Sequence, residues 1–192
     1  MRVILKMSLC ILCTAMVACN RTNAQTKAGP SQEPKTKLQA FEAKTGVVII
    51  TGFSTVGSVS GQYGGTVSVE SKEFLDASTG KREYGIVVEV KKGGEIERDN
   101  SSYIDYDEID SLLKGIDYIS KVQRSITKLD DFQADYHTKG DFKISTFSAR
   151  GQNMVAVSSG DIGEVNVFLP ILKLEDLRAL IANAKAKLDA IK

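Results

Sequence analysis

A pattern that occurs twice limits this chain more than any other feature. Val87–Gly93, VVEVKKG, matches Met154–Gly160, MVAVSSG, at an offset of 67 residues. Tyr106–Leu113, YDEIDSLL, matches Leu174–Ile181, LEDLRALI, at an offset of 68. Both octamers read apolar, acid, acid, apolar, two mixed positions, apolar, apolar. Upstream, Val67-Ser68-Val69 aligns with Phe142-Lys143-Ile144 at an offset of 75. The change of offset falls between Asp76–Glu83 and the shorter Ser148–Gly151, and a surface hairpin loop is where such an insertion is tolerated.

Each copy reads as four strands and a helix. Period-two alternation and β-branched content place strands at 47–59, 63–74, 82–92 and 96–104, then at 130–138, 141–148, 152–159 and 163–171. Glycines at 64, 65, 80, 93, 94, 140, 160 and 163 punctuate them. Helices are expected at 105–122 and 173–191. Ile109, Leu112, Leu113, Ile116, Ile119 and Val122 make the apolar stripe of the first. Leu174, Leu177, Leu180, Ile181, Ala184, Leu188 and Ile191 make that of the second. Asp105 with Glu108 has the spacing of a capping box. The expected fold class is α+β: a single domain from a duplicated β-β-β-β-α unit, with antiparallel sheet or sheets and two amphipathic helices packed on one face. Unit one spans about 46–124 and unit two about 128–192.

The N-terminus carries an address. Arg2 and Lys6 precede the apolar run Met7–Ala18, MSLCILCTAMVA. As a helix it would reach roughly 18 Å, short of the roughly 30 Å of a bilayer core. Charge, short apolar run and small residues describe a signal peptide over 1–18. Met16-Val17-Ala18-Cys19 resembles a bacterial lipobox, with Met16 where Leu is usual. The resemblance implies a lipid (palmitate-type) anchor at Cys19, which ties the protein to the membrane of the cell envelope. The alternative is cleavage near Ala24, which gives a soluble periplasmic or secreted protein.

All three cysteines, Cys10, Cys13 and Cys19, lie in this segment. The exported chain therefore has no disulfide framework and no Cys-based zinc site. Residues 19–38 form a polar tether: over Asn20–Lys37 alanine is the only apolar residue type, with two of the three prolines, too little apolar surface to fold alone. The domain proper is expected at 39–192. Without Arg2 and Lys6 the chain from Asn20 has 23 basic against 24 acidic side chains and a formal charge of −1. That balance argues against a nucleic-acid partner.

Catalytic and metal-binding patterns are scarce. His137 is the sole histidine, near the end of an expected strand. Gly57–Gly61, GSVSG, has Val59 where a nucleophile elbow needs serine. The acids Asp99, Asp105, Asp107, Glu108 and Asp110 fail the EF-hand loop, because Ile109 and Asp110 stand where an oxygen ligand and glycine belong. Gly52–Ser58, GFSTVGS, lacks the P-loop lysine. No catalytic residue, cofactor or metal is assigned.

The repeated strand-helix unit resembles, in topology, the Whirly and PUR-alpha single-stranded nucleic-acid binders. That resemblance implies base stacking and phosphate contact by sheet residues such as Tyr63, Tyr84, Phe142, Phe147, Lys72, Lys143 and Arg150. The expected function is an exported, lipid-anchored envelope protein acting as a non-enzymatic binding or interaction module for a protein or small-molecule ligand. Two alternatives stand beside it: a single-stranded nucleic-acid binder, and a secreted hydrolase using carboxylates or a Ser-His pair.

Overall fold

Strands form where the alternation places them. A computed structural model describes residues 33–94, 96–149 and 151–192; the signal segment, Cys19 and Ala24 lie outside the described residues. A short helix α1 (Lys37–Glu42) comes first, then β1 (Ile49–Ser60), β2 (Thr66–Asp76), β3 (Arg82–Lys92) and β4 (Arg98–Asp105), then helix α2 (Ile109–Ile119). β5 (Gln133–His137), β6 (Phe142–Ala149), β7 (Gln152–Ser159) and β8 (Val165–Leu169) follow, and α3 (Lys173–Asp189) closes the chain. The strands make two four-stranded antiparallel sheets, β1-β2-β3-β4 and β5-β6-β7-β8. The fold is mainly β with some helices. β6 and β7 pair up to Ala149 opposite Gln152, whereas residues 77–81 intervene between β2 and β3. That difference is the loop insertion read from the shifted offset.

One face of each sheet is apolar and turns inward. Val67, Val69, Ile86, Val88 and Val90 from the first sheet meet Ile144, Val155, Val157, Val167 and Leu169 from the second in a single buried cluster. The helices close it with Ile109, Leu112, Ile116 and Ile119 of α2, and Leu174, Leu177, Ile181, Ala184 and Leu188 of α3.

The helices cross over. α3 lies against β1, β2 and β3 of the first sheet, and α2 against β5 and β6 of the second. Local chemistry specifies both seats. Ser71 Oγ on β2 donates to the Ala184 carbonyl of α3 at 3.1 Å. On α2, a Cβ at Gly115 would fall 2.3 Å from Cδ2 of Tyr136 on β5, so only glycine leaves room for that ring. Arg178 of α3 binds Asp117 of α2 with two N–H groups, at 2.5 and 3.0 Å. Arg178 thereby holds the Asp117 carboxyl below its usual range.

The N-terminal boundary lies earlier than composition implied. Thr36 and Leu38, assigned to the tether, are buried. Leu38 and Phe41 of α1 pack on Phe74 of β2, on the opposite side of the first sheet from the main core. A capping box does occur, but at α1: Thr36 Oγ1 accepts from the Gln39 amide and Gln39 Oε1 from the Thr36 amide. The pair Asp105 and Glu108 makes no cap of its own helix. The buried Asp105 instead accepts the amides of Lys37 and Leu38, at 2.9 and 3.1 Å, where the N-terminal dipole of α1 favours a negative charge. Glu108 accepts the Lys139 amide at 3.0 Å in the β5–β6 turn. Both acids fasten distant segments, because amides more than thirty residues away arrive within reach of their carboxylates. Replacing Asp105 by Ala strands two amides at a buried site and is expected to cost about 2 kcal/mol, read from the midpoint of denaturant unfolding; Asp105→Asn, which keeps an acceptor, should lose less.

Candidate functional site

Two backbone turns and one strand converge on a groove. The β1–β2 turn, the β3–β4 turn and β8 enclose about 600 Å³, lined among others by Tyr63, Lys92, Ile96, Arg98, Asn166 and Phe168. Close packing of glycine holds its walls. A Cβ on Gly61 would lie 2.3 Å from Cγ1 of Val167 and 2.8 Å from the Phe168 carbonyl, so the β1–β2 turn can touch β8 only without a side chain there. A Cβ on Gly93 would lie 2.5 Å from the Gly64 carbonyl, which brings the two turns together.

Tyr63 stands out within this frame. Its backbone is left-handed, φ 56°, an uncommon state for a non-glycine residue, yet its side chain is 84% exposed. The fold spends strain on displaying an aromatic ring rather than on burying it. Ile96, 73% exposed, and Phe168, 37% exposed, face the same space. Lys92 and Arg98 sit opposite one another on β3 and β4, and among the described residues neither has a carboxylate partner. Glu164 also lines the groove, but Lys143 holds it at 2.9 Å. The hydrogen bond from Lys143 keeps its carboxyl below the usual range. The groove therefore offers ring and apolar side chains with two cations that have no carboxylate partner among the described residues, a combination suited to an anion that carries apolar or ring surface.

His137 lies in a separate polar depression of about 160 Å³ with Asp141, Lys143, Ser158, Asp161 and Glu164. Its carboxylates are already engaged. Lys35 binds Asp141 at 2.8 Å and Asp161 at 3.0 Å, and Lys143 binds Glu164. The Ser158 hydroxyl is buried and donates to Asn166 Oδ1. Among the described residues no hydrogen bond joins His137 to Ser158. The depression holds the residue types a hydrolase would use, without the nucleophile–base bond that such chemistry is built on.

The residues nominated for base stacking are scattered. Tyr63 lines the groove; Phe142 is fully buried and cannot meet a base. Tyr84 packs against the core. Phe147 meets Phe168 edge-on, with ring centroids 6.4 Å apart, on the outer face of the second sheet. Lys72 lies over the Tyr103 ring at 5.6 Å, and Lys143 is paired with Glu164. Arg150 is outside the described residues. Among the described residues no three His, Asp or Glu side chains converge on a possible metal position, and no helix is long and apolar enough to cross a membrane. Sequence reasoning missed Lys92, Ile96, Arg98 and Phe168 as groove residues. Their one signal was position: each flanks a turn or sits on the outward face of a strand.

If Tyr63 is kept for display, glycine there should relieve the strain. Tyr63→Gly is expected to raise stability by about 0.5–1 kcal/mol, measured as a higher denaturation midpoint.

No family model matches the chain, and no curated protein matches it either. Among solved structures it is similar to one described under "Mutations in SsgB correlate to longitudinal cell division during sporulation of Streptomyces coelicolor". The two are 14% identical with a TM-score of 0.28, over 73% of this chain and 89% of that one, a likeness too slight to carry an argument.

Proposed function

We propose that the protein is an exported, lipid-anchored envelope protein that works as a non-enzymatic binding module. On this reading 1–18 is a signal peptide, Cys19 carries the anchor, and residues between Cys19 and Glu33 are the tether to a domain made of two copies of one β-β-β-β-α unit. The groove at the turns is its binding site. The observation that carries the binding role is the Tyr63 ring held out on a strained turn beside the cations Lys92 and Arg98. The anchor rests on the lipobox-like Met16-Val17-Ala18-Cys19.

Two experiments test the two halves of the reading. Palmitate labelling in a bacterial host should be lost in Cys19→Ser; unlabelled protein beginning at Gln25 would sink the anchor. For the groove, 1-anilinonaphthalene-8-sulfonate is a suitable probe, being an anion with fused rings. Its fluorescence gain on the native protein should fall at least tenfold in Lys92→Glu/Arg98→Glu. An undiminished gain would move the site elsewhere. A single-stranded oligonucleotide at low salt, run beside it, tests the nucleic-acid alternative, since groove binding through phosphates would be salt-sensitive.

A further inference from the structure

We infer that β1 pairs with β1 of a second copy of this chain, in antiparallel register about a two-fold axis at Gly52. β1 is the outer strand of its sheet and pairs only with β2 among the described residues. Natural edge strands are blunted by charge, proline, a bulge or shortness, because a free row of amides and carbonyls invites pairing. β1 is twelve residues long and has neither charge nor proline. No charged side chain occurs anywhere from Thr45 to Val69, in a sequence that is 26% charged, so the gap is not what composition would supply. Val48, Ile50 and Phe53 are exposed by 67%, 51% and 70% on or beside this edge.

The one bulge defines the pairing segment. It falls between Thr55 and Gly57, and bulges bend a strand out of flat register. Ile49–Thr55 keeps an unbroken register with β2, and Gly52 is its middle residue. Nothing among the described residues requires glycine there. Its φ is not positive, and an added Cβ would meet Glu73 at ordinary contact distances of 3.5 and 3.9 Å. Glycine inside a strand weakens it and often marks the close approach of another backbone.

A second copy suits this edge better than a foreign chain does. Pairing about Gly52 sets Phe53 opposite Thr51 of the second copy and brings the two Phe53 rings to diagonal positions, within reach of one another. Ile50 of the second copy lies opposite Ser54, over the space that Gly52 leaves. That space opens on a groove of about 470 Å³ shared with Leu188, Ala190 and Ile191 at the end of α3, where Lys187 donates to Ser54 Oγ at 2.9 Å and reaches the Thr55 carbonyl at the limit of the pairing segment. Near a two-fold axis any charged residue meets its own like charge, which destabilises cross-strand pairs. A strand without charges is what self-pairing demands, whereas a foreign partner would tolerate or exploit them. The product is one continuous eight-stranded sheet with both long edges of the interface consumed.

The test is the mass of the full chain in mild detergent by sedimentation equilibrium. At about 100 μM the native protein should sediment as a dimer; seven-residue strands bury less than a standard interface, so affinity well short of nanomolar is expected. Phe53→Lys and Phe53→Glu, both at an exposed position and so able to fold, should each raise the dissociation constant at least tenfold with unchanged circular dichroism. Mixing the two variants should restore the dimer, because opposite charges then face each other. A native monomer at that concentration overturns the inference. So does association that Phe53→Lys leaves untouched, which would place the contact elsewhere, and so does a mixture that stays monomeric.

Discussion

The exchange of helices between the sheets is the constraint on which the rest depends. A four-stranded meander with one apolar face is incomplete until something covers that face. Here α3 covers the sheet of the first half and α2 lies on the sheet of the second. Neither half can therefore keep its own core without the other. The buried cluster draws on seven of the strands and both long helices, and unfolding one half would expose the other. Glycine at 115, beneath the Tyr136 ring, and the Ser71 hydroxyl on the Ala184 carbonyl are the points where this exchange is written into side chains.

The exchange also positions the candidate site. Bringing the first sheet against β8 presses the β1–β2 and β3–β4 turns onto the edge of the second sheet. Val167 on the inner face of β8 meets the turn at Gly61, while Phe168 on the outer face is left to line a groove. The Ser102 and Ser159 hydroxyls, 2.7 Å apart and buried, join the sheets at a neighbouring point. Such a buried polar pair adds little net stability but favours one alignment of the sheets over a slipped one. A groove built from turns is thereby held by the core, not by the loops themselves.

The acids show where local rules stop. Asp105 and Glu108 have the spacing of a cap, and a reading confined to neighbours assigns them to α2. Each finds a better donor farther away: the free amides at the start of α1, and the Lys139 amide. α1 itself escaped the sequence reading because its surroundings are polar and its own apolar residues, Leu38 and Phe41, are few. Its stability comes from Phe74 and Asp105, which no window around residue 40 contains.

The strands, their two-by-four grouping, the loop insertion and the two long helices were legible in the chain because periodicity is a local property of side chains that must all face one core. β3 and β7 begin and end where alternation placed them, at 82–92 and 152–159. Tertiary structure alone decided which helix covers which sheet, where Asp105 sends its carboxylate, and that Tyr63, Lys92, Arg98 and Phe168 share a groove while Phe142 disappears into the core. These are outcomes of approach between segments far apart in sequence. They depend on the shapes that meet, such as a missing Cβ at Gly61 or Gly115, and a periodic pattern carries no record of what lies across from it.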